Sequence, residues 1–279
     1  MSQPIKITKA SGAVEDLNTD KLRSSLLRSG ADRNTVEEVI ERVLHEIQPY
    51  TSTKKIYRLA KKFLKQFNHA SGLRYSLKKA LLKLGPSGYP FERYYGMLLS
   101  NYGYRTETGI VLDGKCVQHE VDVYATNDRE ILTVECKYHN RPGTATDIKV
   151  AMYVYARFRD LGHAFKYQEP GKMYRGCLVT NTRFTQNAIQ YARCMGFHLK
   201  SWRYPDNDSL EKMIEDKRLY PVTVISGLKS GLARRLIDQG IILLKDLVAM
   251  DVRDIRKMLS LPEHKASILK QHADELCLC

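Results

Sequence analysis

Three residues with the chemistry of metal-assisted hydrolysis, Asp122, Glu135 and Lys137, lie close together in the middle of the chain. Apolar and polar residues alternate on both sides of 126–129, and this period-two pattern predicts a β-hairpin. Glu135 and Lys137 share one face of the second strand, because alternate side chains point the same way. A turn in that segment places Asp122 opposite Val134 or Glu135, within cross-strand reach.

Two neighbouring carboxylates repel each other unless a cation lies between them. Mg²⁺ is typically held by one or two carboxylates together with waters and substrate phosphates. The bound ion lowers the pKa of a coordinated water, and a lysine such as Lys137 can orient that water or stabilise developing negative charge. Glu120 lies on the same strand face as Asp122 and is a further candidate ligand. The alternative interpretation is an ordinary surface hairpin with solvated charges.

The pattern Asp122…Glu135-Cys-Lys137 resembles the PD-(D/E)xK nuclease motif, in particular its Mrr-like restriction endonuclease branch. The run CLVTNTRFTQNA at 177–188 resembles a later strand and helix of that branch, and Glu92 matches an acidic position of its first helix. The resemblance covers about residues 86–204. It implies Mg²⁺ or Mn²⁺ arranged by Glu92, Asp122 and Glu135, with Lys137 assisting attack by water on DNA. The products would carry 5′-phosphate and 3′-hydroxyl ends. The sequence departs from the motif because valine, not proline, precedes Asp122.

The first 85 residues predict two short strands followed by helices. Helix caps are expected at Asn18-Thr19-Asp20, at Asp32 and at 51–53. This layout resembles the ATP-cone, an allosteric nucleotide-binding domain. The resemblance implies that ATP or dATP binds as an effector through these residues: Lys9, Glu15, Asn18, Lys21 and Thr53. The sequence departs from the family at Ala10-Ser11, where the family usually has arginine and aspartate. The alternative is a degenerate cone kept as a basic docking module.

Residues 205–279 predict a third, helical unit after a linker-like stretch at 205–209. The segment 224–236 resembles a helix-hairpin-helix, whose glycine turn donates backbone amides to a DNA phosphate. Lys229 occupies the position of the motif's second glycine. A small helical domain for packing or oligomerisation is an equally weighted alternative.

Net charge is +14, and residues 51–91 hold ten lysines and arginines without an acidic residue. Such a stretch favours an anionic partner over a merely solvated face, because solvated faces usually mix both signs.

The six cysteines form no CxxC pair, and Cys136 and Cys177 are predicted to be buried free thiols in a reducing cytosol. No run of 18 apolar residues and no signal segment is present, so we expect a cytoplasmic protein without a membrane partner.

The large aromatic residues are predicted to serve mainly as core: Trp202, Tyr94, Tyr95, Tyr153 and Tyr155. Lys149 and Arg157 fall on the helix after the active strand, which the Mrr-like resemblance places near the DNA backbone. For each histidine, His119 and His139 included, a structural role is the leading interpretation.

Together these features predict an α/β multi-domain protein. It would have a mostly helical ATP-cone at 1–85, a restriction-endonuclease-like core with a mixed sheet at 86–204, and a small helical domain at 205–279. The predicted function is Mg²⁺-dependent DNA cleavage gated by a nucleotide effector, with a homo-oligomer as a further expectation. ATP would act as an effector rather than a fuel, because no Walker A pattern is present. The alternatives are a non-cleaving, nucleotide-sensing DNA-binding regulator and a cone-type transcriptional regulator. The missing CxxC pairs of a zinc ribbon count against the latter.

Overall fold

The computed structural model describes residues 5–9, 11–225 and 227–278. Three positions covered by the predictions above lie outside the described residues: Ala10, Ser226 of the segment 224–236, and the last of the six cysteines, Cys279. The chain divides into two compact units. The first comprises Met1–Leu77, Val224–Leu228 and Asp251–Cys279, and the second comprises Lys78–Thr223 and Lys229–Met250. In the described part of the chain, no helix combines the length and apolar character needed to cross a membrane.

The elements follow in chain order. Up to residue 81 they are β1 (Lys6–Thr8), β2 (Val14–Asp16), α1 (Thr19–Leu27), α2 (Arg33–Glu46), β3 (Thr51–Ser52), α3 (Thr53–Phe67), α4 (His69–Arg74) and α5 (Leu77–Leu81). The central elements are α6 (Tyr89–Asn101), β4 (Arg105–Asp113), β5 (Gln118–Thr126), β6 (Glu130–Lys137), β7 (Ala145–Thr146), α7 (Ile148–Gln168), β8 (Met173–Thr180), β9 (Arg183–Phe184), α8 (Gln186–Met195) and β10 (His198–Lys200). The last are α9 (Leu210–Lys217), a 3₁₀ turn (Val222–Val224), α10 (Ser230–Asp238), α11 (Leu244–Val248), α12 (Val252–Leu259) and α13 (Glu263–Leu278).

The first unit contains a three-stranded sheet in the order β2-β1-β3 and a set of helices with a common apolar core. The predicted helix caps are confirmed, since the side chains of Asn18, Asp32 and Ser52 each accept a bond from a backbone N–H in the first turn that follows. Such caps satisfy amides that have no partner within the helix. Helix α2 buries the apolar face that its periodicity predicts, including Val36 and Val43.

The second unit is built on a five-stranded mixed sheet in the order β10-β8-β6-β5-β4. Strands β4, β5 and β6 are antiparallel neighbours, whereas β6, β8 and β10 run parallel. Helix α6 lies against one face, where a Cβ on Gly96 would come 3.7 Å from the side chain of Val123. Helix α7 lies against the opposite face, where Phe165 stacks on Tyr124, whose side chain points away from that of Val123. The expected α/β core with a mixed sheet is confirmed.

The predicted hairpin is also confirmed. Strand β5 ends at Thr126, β6 begins at Glu130, and Val123 pairs with Val134. The side chain of Asn127 accepts bonds from the backbone N–H groups of Arg129 and Glu130, each at 2.9 Å. These bonds fix the turn and therefore the register of the two strands.

Residues 205–279 are helical, and they are divided between the two units. In the second unit, α10 and α11 bury Leu236, Leu244 and Leu247. In the first unit, α13 contacts α4. Gly227 has φ +85° and precedes α10, as the glycine turn predicts. The helical segment before this glycine is a three-residue 3₁₀ turn rather than the α-helix that a helix-hairpin-helix requires.

Candidate active site

Asp122 and Glu135 lie next to each other on neighbouring antiparallel strands. Val123 of β5 pairs with Val134 of β6, so the next step along the ladder sets Asp122 beside Glu135. A carboxylate oxygen of Asp122 accepts a 2.6 Å hydrogen bond from the backbone N–H of Cys136, which fixes the orientation of the carboxylate. Of the two predicted alternatives for the cross-strand neighbour, the register therefore selects Glu135.

The carboxyl groups of this region oppose each other's ionisation. Burial, followed by the charge of Asp122, raises the pKa of Glu135 to about 7. Burial also raises the pKa of Asp122, against the lowering effect of its bond from Cys136. The pKa of Glu92 rises to about 7, first through burial and then through the charges of Asp122 and Glu135. Negative charge is therefore held here at a free-energy cost that a cation would relieve.

Arg157 of α7 is the cation that pairs with this site. Its guanidinium lies 2.6 Å from a carboxylate oxygen of Glu135, and the two side chains are only 15% and 21% exposed. The same guanidinium also donates a bond to the backbone carbonyl of Glu120. The Mrr-like resemblance made Arg157 a candidate contact to a DNA phosphate, and in the structure its guanidinium pairs with the carboxylate cluster. A pairing that depends on how a helix packs on a sheet leaves no local pattern in the sequence.

Lys137 follows Glu135 by two residues on the same face of β6 and is exposed. Its charge lowers the pKa of both Asp122 and Glu135, so the ammonium group lies near the pair. The neighbouring strand β8 pairs its Thr180 with Lys137. Because this ammonium is exposed beside two half-buried carboxylates, it can contact a phosphate or a water at the surface of the site.

Glu92 lies in the first turn of α6, at the margin of the pair. One carboxylate oxygen of Glu92 lies close to the backbone of Gly88. A Cβ atom added to Gly88 would be 3.0 Å from that oxygen. Among the described residues, no group of three or more His, Cys, Asp or Glu side chains is arranged to hold a metal ion. The structure therefore brings Asp122 and Glu135 together and leaves Glu92 beside them, and the predicted three-carboxylate metal set stays a prediction.

The donor chemistry of the pair fits a hard divalent cation. Two carboxylates on adjacent strands match what Mg²⁺ takes from a protein, since this ion completes its shell with waters and phosphate oxygens. Burial is the first cause of the raised pKa of both Asp122 and Glu135, and a bound divalent cation would favour their ionised forms. Arg157 holds one oxygen of Glu135, so a metal ion at this site would share that carboxylate or displace the guanidinium.

Asn181 secures the segment that leaves the site after Lys137. Its side chain accepts a 2.8 Å bond from the backbone N–H of His139 and donates a 2.8 Å bond to the carbonyl of the same residue. The imidazole of His139 lies 3.0 Å from the hydroxyl of Thr146. Asn181 is fully buried, and it belongs to the TNT run that the Mrr-like resemblance singled out. The structural role predicted for His139 is confirmed, whereas the role of Asn181 was missed.

The aromatic predictions have a mixed outcome. Trp202, Tyr94 and Tyr95 are buried, as expected, and Tyr155 packs against Tyr191 and Phe197. The prediction for Tyr153 is wrong, because its side chain is 59% exposed. Tyr153 lies on the outer side of α7, which faces solvent rather than the sheet.

The residues of the predicted nucleotide site lie in the first unit, on its small sheet and on the helices that follow β2 and β3. Lys9 follows β1 and forms a 2.6 Å ion pair with Glu15 of β2. Thr8 of β1 pairs with Ser52 in the last pair of this ladder, and Thr53 begins α3. Asn18 and Lys21 lie at the start of α1, where the side-chain oxygen of Asn18 is already used as a helix cap.

Both cysteines predicted to be buried thiols, Cys136 and Cys177, are buried and free.

Comparison with known proteins agrees with this architecture. Residues 85–203 match the Mrr catalytic-domain family, described as a restriction endonuclease. Residues 220–277 match the family described as AF1548-like, C-terminal. The MspJI restriction endonuclease in complex with a 27-mer oligonucleotide covers 71% of this chain and 39% of its own. Its identity of 11% and TM-score of 0.34 make that likeness too remote to support an argument.

A closer relative is an uncharacterized protein of Archaeoglobus fulgidus, 35% identical over 162 residues, which are 58% of this chain and 87% of the relative. The crystal structure described as Protein of Unknown Function AF1548 shares 32% identity and a TM-score of 0.56, and the match covers 68% of this chain and 98% of that one. Neither description names an activity. The central domain thus has a restriction-endonuclease-like fold with an acidic pair on two interior strands of its sheet. The chain belongs to the AF1548-like family.

Proposed function

We propose that this protein is a metal-dependent DNA endonuclease. One observation carries the proposal: Asp122 and Glu135 meet on adjacent strands of a restriction-endonuclease-like domain, with Lys137 beside them. The electrostatics of the site support it, because burial and then the charge of Asp122 raise the pKa of Glu135 to about 7, and a divalent cation would favour the ionised carboxylate. The positive net charge of the chain, +14, favours a polyanionic substrate.

The chain's own residues would divide the work of hydrolysis. Asp122 and Glu135 would hold Mg²⁺ or Mn²⁺, which supplies Lewis acidity and a water of lowered pKa when bound. The bond from Cys136 keeps the carboxylate of Asp122 turned toward its neighbour. Lys137, exposed at the end of β6, would contact the scissile phosphate and stabilise the charge that develops on its oxygens. Glu92 would hold an outer water of the ion from its place at the margin.

Cleavage of supercoiled plasmid tests this function directly. The full-length protein is incubated with Mg²⁺, Mn²⁺ or EDTA, and the Asp122→Ala variant is run beside it. We expect nicked and linear products that require both the metal and Asp122. Binding of the same DNA by the variant, measured separately, distinguishes a loss of chemistry from a loss of folding.

We also propose that ATP or dATP binds the first unit and regulates cleavage. Support comes from the ion pair of Lys9 with Glu15 on the small sheet and from Lys21 in the first turn of α1. Lysines near a helix N-terminus suit a polyphosphate. Equilibrium binding of labelled ATP to the wild type and to a Lys9→Ala/Lys21→Ala variant tests the site. Failure of the wild type to bind would favour the alternative of a basic docking module.

A second function, a DNA-binding regulator without cleavage, is favoured by a single contact. Arg157 already neutralises Glu135 without any metal ion, and an arginine in that position suits a fold retained for binding only. This alternative predicts DNA binding in the absence of cutting under every metal condition. The plasmid experiment separates the two functions, since the regulator would leave the plasmid intact while still retarding it on a gel.

A further inference from the structure

The outer side of α7 carries an exposed stripe of basic and apolar residues. The α7 stripe consists of six exposed residues: Lys149, Met152, Ala156, Arg159 and Lys166, which follow each other at intervals of three, four or seven, and Tyr153 at its margin, three residues before Ala156. Residues with this spacing lie on one side of a helix. Met152 is 50% exposed and Tyr153 is 59% exposed, which is unusual for such large side chains on a core-packing helix. The stripe carries cations at both ends, and the acidic residue on this side of the helix, Asp160, is largely buried and paired with His119.

The stripe borders a groove of about 480 Å³ between α7 and the turn from α8 to β10. Arg159 and Lys166 line it from α7, Arg175 from β8 and His198 from β10. Among the described residues that line the groove, none is acidic. Burial, followed by the charge of Arg175, lowers the pKa of His198, so the positive charge of the groove resides mainly on the arginines and the lysine.

The floor of the groove is rigid. A Cβ on Gly176 would lie 2.1 Å from the ring of Phe158, and one on Gly162 would lie 2.5 Å from the ring of Tyr174. Each glycine therefore admits an aromatic ring into direct contact with the backbone. Arg175 is oriented by a 3.0 Å ion pair with Glu130. A groove that is formed in advance loses little entropy when a charged ligand is bound.

The stripe reaches the carboxylate pair through Tyr153. The guanidinium of Arg157 lies over the ring of Tyr153, 5.5 Å from its centroid, and the same guanidinium binds Glu135. The ring thereby contacts the cation that pairs with Glu135, while most of its surface stays open to solvent. Arg159 lies six residues further along α7, about 9 Å along the helix axis. One helix thus connects the site to the groove.

We propose that the α7 stripe and its groove bind a single-stranded segment of nucleic acid that continues from the cleaved bond. This inference rests on the proposed function. The groove would take the phosphates on Arg159, Lys166 and Arg175, and Tyr153 would stack against an unpaired base. A cationic groove combined with an exposed aromatic ring is the arrangement by which proteins bind single strands. A base within a duplex offers no free face to such a ring, so the substrate class is DNA with an unpaired segment.

Binding by the full-length Asp122→Ala protein tests this inference without any need for cleavage. Fluorescence anisotropy compares three labelled ligands: a blunt duplex, the same duplex with a single-stranded tail, and the single strand. The tail should tighten binding. Tyr153→Leu should reduce the gain from the tail on the order of tenfold, whereas Tyr153→Phe should keep it. Arg159→Ala/Lys166→Ala should lower the salt dependence of single-strand binding by about 0.7 per lost phosphate contact. Lys212→Ala, an exposed lysine on α9, should change nothing.

Three outcomes would overturn the inference. The first is equal binding of blunt and tailed duplexes by the Asp122→Ala protein. The second is unchanged tail binding in both the Tyr153→Leu and the Arg159→Ala/Lys166→Ala variants. The third is displacement of the strand by a mononucleotide as effectively as by unlabelled strand, which would assign the groove to free nucleotides. Failure to bind any of the three DNA ligands would contradict the proposed function itself, so the two failures remain distinguishable.

Discussion

The guanidinium of Arg157 lies 2.6 Å from a carboxylate oxygen of Glu135, on a helix 22 residues away in sequence. This contact joins helix α7 to strands β5 and β6, on which Asp122 and Glu135 lie. The guanidinium thus supplies a positive charge at the carboxylate where the proposed chemistry needs a metal ion. The balance between this arginine and a metal ion is therefore the central electrostatic feature of the site.

Replacement of Arg157 by alanine should make the pair more dependent on metal. Removing one partner of a largely buried ion pair leaves an uncompensated carboxylate, so the metal-free variant should lose about 2 kcal/mol of unfolding free energy. Added Mn²⁺ should then raise the Tm of the variant more than that of the wild type, because the ion meets no competing guanidinium. Differential scanning fluorimetry with and without Mn²⁺ measures this. Equal shifts in both proteins would show that Arg157 and the metal do not share Glu135.

Asn181→Ala should destabilise the second unit. The substitution removes two hydrogen bonds to the backbone of His139 and leaves polar groups unpaired beside a fully buried position. Each such loss costs about 1–3 kcal/mol, so we expect a decrease of about 2–4 kcal/mol in urea unfolding. Gln118→Ala, which removes an exposed hydrogen bond to Asp113, serves as the control and should be nearly neutral. A neutral Asn181→Ala would mean that the segment after Lys137 does not depend on this clamp.

Two glycine substitutions should have opposite effects. Gly176→Ala places a methyl group 2.1 Å from the ring of Phe158, and such overpacking costs about 1–3 kcal/mol. Gly231→Ala, in the first turn of α10, meets nothing within 4 Å and should stabilise by about 0.5–1 kcal/mol, since alanine is the better helix former. Thermal unfolding of both variants checks the pair. A stable Gly176→Ala protein would contradict the rigid groove floor described above.

Much of the second unit follows from local patterns. Alternation on both sides of Asn127 was enough to predict the hairpin, because one face of each strand must enter the core. The cross-strand approach of Asp122 and Glu135 follows from that register. The cap residues Asn18 and Asp32 likewise marked helix starts correctly, since a cap depends only on the first turn.

The remaining features depend on tertiary packing. The pairing of Arg157 with Glu135 and the exposure of Tyr153 are both set by how α7 is rotated on the sheet, which periodicity leaves uncertain by a residue or two. The division of 205–279 between the two units has the same origin, because short amphipathic helices do not specify which neighbour covers them. The predicted helix-hairpin-helix relied on its glycines, whereas the residues before Gly227 form only a 3₁₀ turn.

Metal-dependent cleavage by the pair is tested most directly with four full-length proteins on supercoiled plasmid: wild type, Asp122→Ala, Lys137→Ala and Asp128→Ala. Asp128 is an exposed carboxylate in the turn of the same hairpin and provides the matched control. We predict cutting with Mg²⁺ or Mn²⁺ by the wild type and by Asp128→Ala, none by Asp122→Ala, and a rate lower by about a hundredfold for Lys137→Ala. Equal cutting by Asp122→Ala and wild type would contradict the account, as would an intact plasmid in every metal condition.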